Sequence, residues 1–153
     1  MPKISGANVA EHRERTYRSL LDAVEALIQE QGFDAVSMRD IAERAGVSRT
    51  AIYNYAPDKM ALLEASVERT AAALHTALTE AVLEPGRSAP DRLEAVMRVL
   101  LTFAHSAQNL LMLRAAHATL DRTQHKKMIS GYQDEIGKHL RALILQGIAD
   151  GDY

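Results

Sequence analysis

At 153 residues, 47% of them hydrophobic and 25% charged, the chain is long enough for one ordinary domain or two small ones and too apolar for a disordered tail. A formal net charge of −2, from 18 basic and 20 acidic residues, excludes a polybasic protein that holds nucleic acid by bulk charge. The lack of cysteine excludes disulfide scaffolds, zinc ribbons, iron–sulfur clusters and thiol nucleophiles.

Ala and Leu dominate, as in helical proteins. Between Arg13 and Gln31, the residues Tyr17, Leu20, Leu21, Val24, Leu27 and Ile28 repeat at the spacing of one helix face, and Gly32 is placed to stop that helix. Ser37, three residues before Asp40, predicts the cap of a short second helix carrying Met38, Ile41, Ala42 and Ala45, interrupted by Gly46. Ser48 caps a third short helix through Ala51, Ile52 and Tyr53; Pro57 ends it and Asp58 caps the next. From Lys59 to Leu83, Leu63, Val67, Leu74, Leu78 and Val82 keep helical phase in one long helix. Glu84–Asp91 reads as a loop, with Asp91 capping a fifth helix that carries Leu93, Val96, Met97, Leu100, Leu101 and Ala104. A polar interruption at His105–Asn109 precedes a sixth helix with Leu110, Leu113, His117 and Leu120 on one face. The stretch DRTQHKK is expected to be a connection, and a last helix holds Ile136, Leu140, Leu143, Ile144 and Ile148. The chain is therefore predicted to be all-α. No apolar run approaches the roughly 18 residues that span a bilayer, and no signal peptide is visible, so a cytoplasmic protein with no membrane partner is expected.

The stretch SMRDIAERAGVSRTAIYNYAPDK, residues 37–59, is the informative one. Two short helices meet at a corner where Gly46 can adopt the left-handed conformation, while Ile41, Val47 and Ile52 supply a small core. That is a helix-turn-helix, and its outer face would show Ser48, Arg49, Thr50, Tyr53 and Asn54. Charge lends no independent support: acidic residues slightly outnumber basic ones over residues 1–60, and only Arg44–Lys59 is net positive, with Arg44, Arg49 and Lys59 against Asp58.

Gly32-Phe33, the run SMRDIAERAGVS, the aromatic pair in YNYAPDK and Leu62-Leu63 together closely resemble the N-terminal domain of TetR-family transcriptional regulators, without a gap from about Arg13 to Leu63. Asn54 and Tyr55 depart from the family pattern, where His or Tyr and then Phe are more frequent. The resemblance implies a DNA-binding domain over residues 1–58 and a helical ligand-binding and dimerisation domain over 59–153. The family usually continues past GIADGDY with two further helices, so the second domain is expected to be incomplete at its C-terminus.

By position, the resemblance assigns Ser37 and Arg39 to DNA phosphates, and Arg49 and Thr50, beside Ser48, to base reading. It assigns Tyr53 and Asn54 to the DNA backbone and Lys59 to a phosphate, while Tyr55 packs under the corner. It also implies a double-stranded operator, a homodimer, and a small-molecule effector in a pocket of the second half. Candidate pocket residues are Met97, Phe103, His105, Leu113, His117, Met128 and Tyr132, adaptable Met with a few polar groups suiting an apolar ligand.

No two histidines stand at the i, i+4 spacing of a helical metal site, and no phosphate loop, nucleophile elbow or HExxH motif occurs. Neither metal, cofactor nor catalysis is expected. The sequence thus predicts a ligand-responsive regulator, a repressor acting on a near-palindromic operator. The alternative is a helical protein-interaction module that keeps the corner but reads no DNA.

Overall fold

A computed structural model describes residues 6–119 and 122–153, with the backbone alone at positions 6, 107, 108, 119, 122, 124–129 and 131. The described residues form six α-helices and one short 3₁₀ turn, with no strand among them. In order these are α1 (Gly6–Gln31), α2 (Met38–Ala45), the 3₁₀ turn Ala51–Asn54, α3 (Lys59–Leu83), α4 (Ala89–His105), α5 (Ala107–Thr119) and α6 (Arg122–Asp150). None of the helices among the described residues is long and apolar enough to cross a membrane.

The chain divides into two compact units between Val67 and Glu68, nine residues beyond the expected boundary at residue 58. The first two turns of α3 bury Leu62, Leu63, Ser66 and Val67, so they belong with the first unit. In that unit α1 buries the stripe Leu20, Leu21, Val24, Leu27 and Ile28, as its spacing predicts. Gly32, at φ +81°, ends the helix. Helix α1 is already formed at Gly6, well before the expected Arg13; its first turns hold one large apolar residue, the exposed Val9, and so leave no apolar repeat to read.

Helix α2 carries a complete capping box. The Ser37 hydroxyl accepts from the Asp40 N–H at 3.2 Å, and the Asp40 carboxylate accepts from the Ser37 N–H at 3.0 Å. The Ser37 hydroxyl also donates to Asp40 Oδ2, and this bond first, then the one from the Ser37 N–H, holds the Asp40 carboxyl below the ordinary carboxylate range, with Arg39 adding a smaller attraction. The helix buries Ile41 and Ala42 and ends on Gly46 at φ +70°.

The expected third helix is a single 3₁₀ turn. The Ala51 N–H bonds to the Ser48 hydroxyl at 3.1 Å, and the Ile52 N–H to the Ser48 carbonyl at 3.2 Å. Pro57 disfavours helical backbone at Ala56 and blocks extension, so the turn closes with the Tyr55 and Ala56 N–H groups both donating to the Ile52 carbonyl. Asp58 then caps α3, its Oδ1 accepting from the Ala61 N–H at 2.8 Å.

In the second unit, Leu78, Ala81 and Val82 of α3, Ala89 and Val96 of α4 and Leu143 of α6 share one buried cluster, flanked by Leu74, Leu93, Ile136 and Leu140. Arg92 ties its elements together, donating to the Val82 carbonyl at 3.2 Å and to Gln146 Oε1 at 2.9 Å. Three expectations change here. Ser88, and not Asp91, caps α4, with Asp91 in its first turn. The polar break after α4 shrinks to Ser106. The run DRTQHKK is no connection from Arg122 onward, because α6 already begins there.

Candidate nucleic-acid interface

The corner presents its reading face outward. Ser48, Arg49, Thr50, Tyr53 and Asn54 are exposed, Tyr53 at 57%. The phenol of Tyr53 stands open to solvent beside the fully buried Ile52, where its ring and hydroxyl are accessible to a partner. Ile52 and Ile41, both at 0% exposure, anchor the turn from below. Ser48 is committed locally as the acceptor for Ala51 and lies 3.3 Å from the Thr50 hydroxyl.

A bracket that sequence reading missed fixes this turn from α1. Arg13 donates from α1 to the Asn54 carbonyl at 3.1 Å, and its guanidinium stands 5.2 Å from the Tyr55 ring centroid. Tyr55 is thereby wedged half-buried under the corner, as expected of it. Arg13 and Asn54 are 41 positions apart, and nothing in either neighbourhood signals the pairing.

Lys59 is drawn onto the first unit's own backbone. Its ammonium donates to the carbonyls of Phe33 and Val36 at 2.9 Å each and to that of Asp34 at 3.4 Å, and it sits 4.5 Å from the Phe33 ring centroid. Its hydrogens are turned onto the bend between α1 and α2, where the side chain braces the first unit. Arg44 is likewise taken up. It forms a two-pronged ion pair with Glu30 at the end of α1, with NH1 2.9 Å from Oε1. The pair raises Arg44 above its ordinary value and lowers Glu30 below its own, chiefly through the hydrogen bonds between them. Of the three cations that made Arg44–Lys59 net positive, Arg44 is exposed but paired and Lys59 is turned onto carbonyls, while Arg49 is exposed and outside both arrangements. Arg39 is also exposed, at the start of α2.

Part of the expected effector pocket is on the surface. Met97 is 50% exposed, and His105 and His117 are exposed as well. His105 Nδ1 lies 2.7 Å from the Leu101 carbonyl one turn back on its own helix. Phe103, Leu113 and Tyr132 are half-buried, and the Met128 side chain lies outside the described residues. Among the described residues of α5 the buried ones are Met112 and Ala116 and not Leu110, Leu113 and His117 of the expected row, whose fourth member, Leu120, lies outside the described residues; apolar residues surround that helix, so its sequence barely distinguishes an inner face. A polar contact unforeseen in the sequence joins α3 to α6: His75 Nε2 lies 3.2 Å from Glu135 Oε2, and the His75 ring meets Tyr132 at 5.1 Å. Among the described residues no group of His, Cys, Asp or Glu is arranged to hold a metal ion.

Residues 20–66 match the family model described as bacterial regulatory proteins, tetR family. The nucleoid occlusion factor SlmA of Pasteurella multocida is 30% identical over 108 residues, an alignment that spans 71% of this chain and 54% of that protein; the chain covers about half the length of that relative. The HTH-type transcriptional repressor Rv1474c of Mycobacterium tuberculosis is 27% identical, over 99% of this chain and 85% of the repressor. A transcriptional regulator of the TetR/AcrR family from Thermobifida fusca shares the fold with a TM-score of 0.70 at 24% identity, over 90% of this chain and 72% of that one. With the family's signature lying on the capped corner and its outward turn, and the all-helical fold shared along most of the chain, this protein belongs to the tetR family of bacterial regulatory proteins.

Proposed function

We propose that the chain is a cytoplasmic, ligand-responsive transcriptional repressor that binds a near-palindromic operator as a homodimer and carries out no catalytic step. The carrying observation is the exposed row Arg49, Thr50 and Tyr53 on a turn held by the Ser48 hydroxyl, the Gly46 corner and Arg13. Such a turn suits the major groove: a guanidinium can bridge the two acceptors of guanine, a threonine methyl can touch thymine, and a phenol can reach a backbone oxygen. The likeness to a mycobacterial repressor over nearly the whole chain supports the sign of regulation. A small apolar effector, sensed in the second unit near Phe103, Leu113 and Tyr132, would act by favouring a separation of the two reading turns other than the roughly 34–36 Å that successive major grooves require.

The test is selection of bound duplexes from a random library at fixed salt, run for the wild type and for the Arg49→Ala, Tyr53→Ala double variant. An enriched inverted repeat that the double variant loses supports the reading. Arg49→Ala alone should cost about 1–3 kcal/mol on the preferred site and relax one base pair. No enrichment by the wild type would refute it in favour of a helical interaction module.

A further inference from the structure

The first unit holds an open groove of about 550 Å³ that the reading turn does not account for. One wall is α1, through His12, Arg15, Thr16 and Ser19; the other is the corner and turn, from Ala45 through Ser48 to Ala51 and Tyr55. In a chain with more acidic than basic residues, no carboxylate lines this groove. The neighbouring cations of the unit are taken up: Arg18 pairs with Glu14, Arg44 with Glu30, and Arg13 and Lys59 are held by backbone carbonyls. Among the described residues, Arg15 is an exposed cation of α1 that forms no ion pair, and it borders the same groove as Ser48, next to the base-reading Arg49. The Thr16 and Ser19 hydroxyls donate back to the His12 and Arg15 carbonyls at 2.9 and 3.1 Å, which leaves Arg15 as the one Lys or Arg side chain lining the groove, with His12, Ser48 and Tyr55 as its other polar side chains.

We propose that this groove seats a phosphodiester of the DNA backbone, contacted by Arg15 and flanked by His12, so that α1 adds an anchor beside the reading turn. An acid-free cleft bordered by a guanidinium and continuous with Ser48 matches an anionic, sequence-independent strand edge. The proposal rests on the DNA-binding reading above and adds to it an anchor that carries no sequence information.

The test measures fluorescence anisotropy of the full chain on its selected duplex and on a random-sequence duplex over a series of salt concentrations. Wild type, Arg15→Gln, Arg15→Lys and Arg49→Ala are compared. Arg15→Gln is expected to weaken both duplexes by the same factor, about 3–10-fold near 0.15 M salt, and to lower the salt slope by about one. Arg15→Lys should restore most of the affinity, and the melting temperature should stay within about 2 °C, since the side chain is exposed. Binding that Arg49→Ala weakens and Arg15→Gln leaves unchanged overturns this proposal alone, as does a loss confined to the selected duplex. Absence of binding by the wild type overturns the regulator reading and this inference with it. Titration with AMP in the absence of DNA separates a nucleotide site from a strand site: AMP binding that depends on Arg15, with duplex binding unaffected, would assign the groove to a free phosphorylated ligand and overturn the strand assignment.

Discussion

Replacing Lys59 with Met separates two roles that one residue cannot hold together. If the ammonium is spent on the carbonyls of Phe33, Asp34 and Val36, the variant keeps the apolar stem but loses two short charge-assisted hydrogen bonds, one long one, and a cation–π contact at 4.5 Å. A hydrogen bond to a charged group contributes about 1.5–3 kcal/mol and a cation–π contact about 0.5–1 kcal/mol. Phe33 and Asp34 are partly open to solvent, so water re-bonds some of the abandoned carbonyls and the net loss is about 2–3 kcal/mol. For a unit of this size, at about 4–8 °C per kcal/mol, the melting transition should fall by about 10–20 °C. Thermal unfolding followed by circular dichroism reads that directly, and anisotropy on a random duplex, at a temperature where both proteins are folded, reads the salt slope. Bracing predicts a large thermal shift with the slope unchanged. A melting temperature within about 2 °C of wild type, together with a slope lower by about one, would show that Lys59 reaches a phosphate and would refute the reasoning.

Asp40→Ala should lower the melting temperature at neutral pH by removing half of the capping box. The Ser37 donors depress the Asp40 pKa, so its contribution is present above the ordinary carboxylate value and is lost as pH falls through the lower folded value. The gap between wild type and variant should therefore close on acidification below about pH 4, and a gap constant from pH 7 to pH 2 would contradict this. At Gly46, where an added Cβ meets nothing within 4 Å but φ is +70°, replacement by Ala should cost about 1–2 kcal/mol through backbone strain alone, and Asn should cost less. Denaturant unfolding that places both variants at the wild-type midpoint would refute it.

What the sequence determined by itself about this protein is whatever closes within four or five residues. The Ser37–Asp40 box, the Gly46 corner, the Ser48 and Asp58 caps and the buried stripe of α1 are all legible, because each depends on a hydrogen bond or an apolar repeat along one stretch of backbone. The family signature was legible for the same reason, since it is a string of such local devices in register. Local signals failed where they were weak or in competition: the polar start of α6 reads as a connection, and the reading turn stays 3₁₀ because Pro57 follows so closely.

The tertiary structure alone decided where the charges go. Glu30 and Arg44 are 14 positions apart, Lys59 and Phe33 are 26, and Arg13 and Asn54 are 41. An unpaired cation has the same sequence environment as a paired one, and only the folding of α1 and α2 against each other brings a carboxylate or a carbonyl within 3 Å or so. Lys59 is therefore turned onto the bend between α1 and α2, and Arg15, whose spacing suggests an ordinary i, i+4 partnership with Glu11, borders an acid-free groove beside the reading turn.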